Sequence, residues 1–457
     1  MLRRLILVLA AVAVCLLTSA GAATAPAANG AGFKTAKPAY LVPLAPGAKV
    51  DPILSTGDVI GGYQMSGIPD GLGAYKTGHN ALQIHMNHEL GISFPNIPPG
   101  VDTRISKLTI NRKTHGVLAA SYAFTGTEGF ERFCSATLEK IRGTPYYLTG
   151  EESLTSAPTG HNGSSIVMNA NTGQWTATPH FGHFEHENVV PVTGFKKFVL
   201  VSTEDNFREG VPSYLFAYIA DSWEHAVSGD PAHGSLYVWR AVNPAQTAFT
   251  MTKGSTIQGE FVPITQAENA NDVTLKAAAT AKGAFRFARL EDAAVAYQKS
   301  GRLYFADTGK PGEATVSGRI YRLDISPSNP KQASVTLVLD STVDDMRNPD
   351  NLGTSPRSLM IQEDRENPFR TQYGRILRYD LNDGSLTPVA RVNTTVGLPG
   401  QWESSGIIWA GNLLGGGWWL ADVQAHTLTA PQPGPTLAPN TATGEDGQLD
   451  AVFVPGS

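Results

Sequence analysis

From Ala39 onward, short runs of β-branched and aromatic residues alternate with Gly, Asn, Asp or Pro. Ser164–Asn169, Lys197–Ser202, Ser213–Ile219, Ser235–Arg240, Arg302–Ala306, Gly318–Asp324, Ser334–Leu339, Arg375–Tyr379, Ile407–Ala410 and Gly417–Asp422 are runs of this kind. Short apolar runs bounded by turn formers read as strands joined by hairpins, and 47 Gly and 30 Pro supply the turns. Only the Ala-rich stretch Gln266–Ala281 carries a helical pattern. No linker interrupts the chain after residue 40. Radial repetition of small sheets accommodates so many short strands, because each sheet's edges are short and covered by its neighbours. The expected fold is therefore all-β: a β-propeller over residues 39–457, of six blades at about 70 residues each. Long loops and at most one or two short helices complete it. Two stacked β-domains are the alternative.

The first residues follow a different pattern. Arg3 and Arg4 precede an unbroken apolar run, Leu5 to Leu17, and Ala20-Gly21-Ala22 then offers a cleavage site. The run falls short of the roughly 20 residues that span a bilayer, and no later stretch approaches that length. Residues 1–25 read as a signal peptide, by the Sec or the twin-arginine route, and residues 26–38 as a disordered Ala/Pro/Gly-rich tether. The mature chain is then secreted or periplasmic, without stable membrane insertion. Of the 2 Cys, Cys15 lies in the leader, so Cys134 is the single mature thiol and no internal disulfide forms. A lone thiol in an oxidising compartment needs burial or coordination.

Charged residues make up 16% of the chain and the net charge is -5, which gives no basic field for nucleic acid. The chain is expected to act as a monomer on a small molecule. Against this low-charge background, acidic motifs recur where a strand run meets a turn. They are Asn87-His88-Glu89, Glu151-Glu152, Glu185-His186-Glu187-Asn188, Glu204-Asp205-Asn206, Arg289-Leu290-Glu291-Asp292, Asp344-Asp345, Pro349-Asp350-Asn351 and Trp402-Glu403. Each alone is the kind of motif that caps backbone groups beside a turn. Together they have a second reading, because loops on one face of a propeller converge on its axis. Carboxylates crowded there must protonate or bind cations. Scattered oxygen donors suit calcium; the thiolate of Cys134 would add a softer ligand suited to iron or another transition metal.

Other chemistries lack their signatures: there is no G-x-S-x-G elbow, Walker loop or G-x-G-x-x-G fingerprint. His180, His183 and His186 could form a zinc site by spacing, but histidines lying beside the carboxylate motifs are the favoured reading. Trp418 and Trp419 read as inter-blade core rather than as a stacking platform.

The order of these motifs resembles that of the PhoX-type bacterial alkaline phosphatases, secreted metal-dependent phosphatases on a β-propeller, over roughly Gly71 to Asp422. Asn87-His88-Glu89 is similar to the family's N-H-E. Cys134 with Gly143-Thr144-Pro145 and Leu148-Thr149-Gly150-Glu151-Glu152 resembles its cysteine segment and L-T-x-E-E. Phe184-Glu185-His186-Glu187 resembles its K-H-E, Arg289-Leu290-Glu291-Asp292 its R-P-E-D, and Pro349-Asp350-Asn351-Leu352 its P-D-N-L. Trp402-Glu403 and Val423-Gln424 fall where the family has C-E and its closing V-Q-H-P. The resemblance implies iron and calcium ions, with Cys134, Glu89, Glu151, Glu152, Glu187, Glu291 and Glu403 as ligands. It implies Arg289 and Cys134 as catalytic residues, and Arg289, Asp350 and Asn351 as contacts to a phosphorylated substrate. The chain departs from the family at Arg132-Phe133-Cys134-Ser135-Ala136, Leu290, Trp402 and Ala425-His426-Thr427. The implied activity is hydrolysis of phosphate monoesters. A calcium propeller acting on phytate, lactones or phosphotriesters is the second reading, and a calcium-stiffened binding module the third.

Overall fold

In the computed structural model, residues 30–91, 102–154, 161–264, 270–311, 317–365, 371–397, 399–426 and 445–457 are described. The expected signal peptide lies outside them. The strands form a β-propeller. Blade one is Pro69–Lys76, Ala81–His88, Arg104–Asn111 and Val117–Phe124, paired in chain order from the axis outward. Blade two is Phe133–Ile141, Thr144–Glu151, Ser165–Asn169 and Trp175–Ala177. Blade three is His186–Val192, Phe198–Glu204, Leu215–Ala220 and Gly234–Ala241; blade four is Leu290–Val295, Arg302–Asp307, Arg319–Ile325 and Gln332–Asp340. A further strand, Thr256–Ile264, pairs with the outer strands of both and fuses them into one nine-stranded sheet. Blade five is Pro349–Thr354, Ser358–Glu363, Arg375–Asp380 and Leu386–Val392, with Leu41–Pro43 added at its outer edge.

Blade six closes the ring. Its strands Trp402–Trp409, Trp418–Ala425 and Asp446–Phe453 come from the end of the chain, and Lys49–Ser55 from the beginning supplies its outer strand. Joining the two ends in one sheet leaves no blade with an open flank, which is how a ring of small sheets manages its edges.

The local chemistry explains the hairpins. Between Ile141 and Thr144, Arg142 and Gly143 both take positive φ, 51° and 87°. That is the two-residue turn whose twist matches the flanking strands. Between blades, apolar faces meet: the Trp402 and Tyr40 rings lie 4.7 Å apart at a tilt of 44°, and Trp419 is buried in one cluster with Met360 and Val389 of blade five. Trp419 is thus inter-blade core, as its sequence context suggested.

Three details differ from expectation. Among the described residues there are three α-helices, Trp223–Ser228, Asp272–Ala281 and Gly411–Leu414, where at most two were expected. The second begins at its Asn271 cap, whose side chain accepts from the Thr274 amide, which places its start inside the Ala-rich stretch. The presumed tether is ordered from residue 30: Phe33 bridges to Val117, Lys34 pairs with Asp51 at 2.7 Å and Lys37 reaches Asp446 at 3.3 Å. Its apolar and basic residues find partners on blades one and six that composition alone does not reveal.

Candidate metal centre

The first residues of the six inner strands decide the site. At the second position of each stand Asp70, Cys134, Glu187, Glu291, Asp350 and Glu403, one from every blade. Pairing in every blade slips by a residue near this end, between Pro69/Leu72, Thr149/Glu151, His186/Asn188, Leu290/Ala293, Pro349/Leu352 and Ser405/Ile407. A bulge breaks the strict alternation of faces and re-aims side chains. Here it lets neighbouring residues both serve the axis. In blades one, two and five a residue with positive φ, Ile68, Arg132 or Asn348, lies two positions before the axial donor. Backbone strain of this sort persists where the surrounding structure fixes it.

The donors crowd. Cys134 Sγ lies 3.1 Å from Asp70 Oδ2. Ligand atoms of Asp70, Glu89 and Cys134 fall within 4.8 Å of one another, as do those of Cys134, Glu152 and Glu187, and those of Glu187, Glu291 and Asp350. These three groups share members and form one continuous patch. A floor supports it: Ser135 Oγ donates to Glu187 Oε1 at 2.6 Å, and Asn351 Nδ2 donates to Asp70 Oδ1 at 3.1 Å and to Ser135 Oγ at 2.9 Å. Gln424 Nε2 donates to Asp70 Oδ2 and Glu89 Oε2 at 2.9 and 3.0 Å.

The electrostatics point to cations. Burial, then the charge of Glu89, pushes Asp70 well above the usual carboxylate range; burial, then Asp70, does the same to Glu187. Burial raises Glu152 although Arg132 opposes it, raises Glu291 against Arg289, and raises Asp350 together with Glu187. The Cys134 thiol is raised by burial and by Asp70. Acids outnumber the guanidiniums of Arg132, Arg289 and Arg365 around the cavity of about 90 Å³. Buried oxygens Glu152 Oε1, Glu187 Oε2 and Asp350 Oδ1 meet no hydrogen-bond donor among the described residues. Such oxygens beside a thiol are a donor set that bound cations would complete, so the residues fit a metal centre.

Residues 168–412 match the family described as Alkaline phosphatase PhoX. The chain belongs to the PhoX family. Membership places it among phosphatase-like hydrolases. No curated protein matches it. Among solved structures it is similar to a glucose dehydrogenase (12% identity, 70% of this chain and 95% of that one, TM-score 0.29). It is also similar to an endo-arabinase from Bacteroides thetaiotaomicron (10%, 75% and 97%, 0.35). The β-propeller domain of the Trilobed protease from Pyrococcus furiosus gives 9%, 85% and 96%, and 0.33. At these scores the likenesses carry no argument about chemistry.

Most residues singled out by the PhoX resemblance meet at this patch, but two of the expected ligands, Glu151 and Glu403, lie outside its donor groups. Glu151 faces away: its oxygens accept the amides of Glu131, Gly163 and Ser164 at 2.9, 3.1 and 3.2 Å. Glu151 and Glu152 are adjacent at a strand end, and only Glu152 borders the cavity. Asn351, expected to touch substrate, is committed to the floor. Asp350 joins Glu187 and Glu291 as a donor rather than standing apart as a substrate contact. Glu403 accepts from His426 Nε2 at 3.1 Å and from the Arg365 amide at 3.0 Å. His426, one place beyond the histidine of the PhoX closing motif, thus still reaches the site. Burial opposes its protonation, but Glu445 and Glu403 outweigh that and push it up to about 9. His180, His183 and His186 each contact a different backbone carbonyl, of Ala226, Asn162 and Gly182, and do not gather.

Arg289 is paired with carboxylates and also faces the cavity. Its Nε and Nη2 donate to Asp205 Oδ1 and Oδ2 at 2.9 and 3.1 Å, and Nε lies 3.0 Å from Glu291 Oε1, while its guanidinium borders the cavity. Sequence reasoning missed Asp70, Arg132 and Arg365. Asp70 had a signal: Pro69-Asp70-Gly71-Leu72-Gly73 repeats Pro349-Asp350-Asn351-Leu352-Gly353. Arg132 and Arg365 had none, since each enters through a loop.

Gly71 shows how closely blades one and two must approach. A Cβ there would lie 2.4 Å from Ala136 N and 2.6 Å from Cys134 O, both backbone. Gly71→Ala is expected to destabilise the protein by about 1–3 kcal/mol through overpacking and to separate Asp70 from Cys134. Thermal melting and metal content check it; a wild-type value for both would show that the strands can part freely.

Proposed function

We propose that this chain is an exported, metal-dependent phosphatase that hydrolyses phosphate monoesters, with its cations held by the axial ring. The observation that carries the reading is the delivery of one acid or thiol from every blade to the same strand position: five of the six line one cavity, and Glu187 lies within ligand distance of their donor atoms. Cys134 with Asp70, Glu89, Glu152 and Glu187 would hold iron, for which a thiolate is a fitting ligand. Glu187, Glu291 and Asp350, oxygen donors alone, would hold calcium. When bound, such ions supply charge neutralisation and alignment of the attacking and leaving oxygens, which is most of what phosphoryl transfer requires. Family membership and the donor set support this reading.

The protein's own groups do the rest. Asp205 grips Arg289 through two hydrogen bonds, so the guanidinium is held in one orientation before a substrate arrives. Arg132, held by Glu89 at 2.6 Å and Glu152 at 2.9 Å, and Arg365 stand at the same cavity. Three fixed cations at a buried wall favour an incoming phosphoryl group and the charge that builds on its oxygens. Export is proposed from the apolar leader; among the described residues, no helix is long and apolar enough to cross a membrane.

Elemental analysis of natively purified protein for iron and calcium, together with turnover of a phosphomonoester before and after chelation, tests the proposal. Both metals bound and activity lost on chelation are expected; activity that returns fully with calcium alone, and survives Cys134→Ser, would select a calcium-only hydrolase instead. Arg289→Lys keeps the charge but loses the two-point contact with Asp205. It is expected to lower kcat/KM by about a hundredfold with metal content retained. Unchanged turnover would remove Arg289 from the mechanism.

A further inference from the structure

The loop that follows Phe198–Glu204 in blade three turns its side chains in different directions. Asp205 points inward to Arg289. Two residues on, Phe207 points out and is 51% exposed, an unusual state for a phenylalanine. It is not on a remote surface: its ring lies 5.9 Å from the Arg132 guanidinium, which itself borders the metal-centre cavity.

An exposed ring at the tip of a loose loop would mean little. This loop is fastened on both sides of the ring. Lys310, buried between blade-four strands, donates from Nζ to the carbonyls of Asn206 at 2.6 Å, Arg208 at 3.1 Å and Val211 at 2.7 Å. Asn206 Nδ2 donates to Glu185 Oε2 at 2.8 Å, and Arg208 Nη2 reaches Glu185 and Asp272 at 3.2 Å each. A buried ammonium and a set of ion pairs thus fix the backbone around an apolar ring that remains uncovered. Ordering a side chain in advance lowers the entropy that a ligand must offset. The chemistry that such a ring selects is a flat one: planar groups stack on aromatic faces, and the gain is tolerant of the identity of the ring.

We infer that Phe207 is a stacking subsite at the rim of the metal centre for the leaving group of the substrate, and that favoured phosphomonoesters carry an aryl or nucleobase ring. The inference rests on the phosphatase reading and narrows its substrate class. Arg132 links the two parts, with its guanidinium against the phenyl face on one side and the cavity on the other.

The test compares pairs of substrates with the metal-loaded wild-type and Phe207→Ala proteins. 5′-AMP and ribose 5-phosphate share one phosphoester and differ by the base; phenyl phosphate and glycerol phosphate form the aryl arm. Phe207→Ala is expected to lower the ratio of kcat/KM within at least one pair by about tenfold, mainly through KM. Phe207→Trp is expected to preserve it. A fall confined to the nucleotide pair assigns the subsite to a base one sugar away, and a fall confined to the aryl pair to a ring on the phosphoester oxygen. Ratios unchanged in both pairs, with turnover intact, would overturn the subsite and leave the phosphatase standing. Wild-type protein inert on all four substrates would instead defeat the phosphatase reading and the subsite with it.

Discussion

Glu187→Gln is expected to cost at least about a hundredfold in phosphatase turnover while making the metal-free protein more resistant to heat. The two effects have one cause. Glu187 belongs to two of the crowded donor groups, with Cys134 and Glu152 on one side and Glu291 and Asp350 on the other. Without cations, burial and then the charge of Asp70 push it well above the usual carboxylate range, so the folded chain must hold a proton there that the unfolded chain releases, and Oε2 has no donor among the described residues. Glutamine keeps an oxygen to accept from Ser135 Oγ and turns an amide toward neighbouring carboxylates. Removing an acid that must hold its proton above the ordinary carboxylate range is expected to stabilise the metal-free protein by about 1–4 kcal/mol near neutral pH, a rise of a few degrees in the midpoint. With metal present the order is expected to reverse, because the proposed ligand set is complete only in the wild type. Differential scanning calorimetry with and without chelator, alongside metal content and turnover, measures all three. A variant that holds iron and calcium at wild-type levels, or that unfolds when metal-free, would show that Glu187 is a packing residue. Cys134→Ser is expected to lose metal and turnover together while it folds.

The second large effect concerns pH. In the metal-free protein, burial pushes Glu151, Glu185 and Asp450 each up to about 8, and His426 stands at about 9 through Glu445 and Glu403 despite its burial. Unfolded carboxylates titrate near about 4 and histidine near about 6.5. From pH 6.5 to about 9 the folded chain therefore holds protons that the unfolded chain has released, and stability must fall as pH rises. Below 6.5 the sign is mixed. Burial lowers His85, His88 and His186 to about 3, and these neutral rings add stability as pH rises through that lower range. The clean prediction is a midpoint that drops steadily from pH 6.5 to 9 after chelation. Metal-loaded protein is expected to hold a flatter profile, because cations take the place of protons among the same acids. A metal-free midpoint that is flat or rises over that range would mean that the acids find compensation the structure does not show.

How much of this was legible beforehand varied with the physics behind each element. Strands such as Arg302–Asp307 and Arg375–Asp380 were visible within one or two residues, because turn chemistry and β-branched runs are local signals. The helix at Asp272–Ala281 was visible for the same reason, though its cap was not used to set its start. In the site, Glu89, Cys134, Glu187, Glu291 and Glu403 were found from motif order. Glu151 was taken with Glu152 as a pair, although adjacent strand residues face opposite ways unless a bulge intervenes. Glu151 is the last residue of its strand and accepts three backbone amides, whereas Glu152, one residue past the strand, borders the cavity.

By itself the sequence determined a sheet-rich chain with one cysteine beyond its apolar N-terminal run, a low charge and a set of acidic turns, all properties carried by neighbours along the chain. It could not decide that Asp70 and Cys134 stand 3.1 Å apart, or that Lys49–Ser55 completes the blade begun at Trp402. Those facts belong to ring closure, in which residues hundreds of positions apart share one sheet or one axis. Only the fold sets that distance, and only there do separate solvated acids become a crowded site that calls for cations.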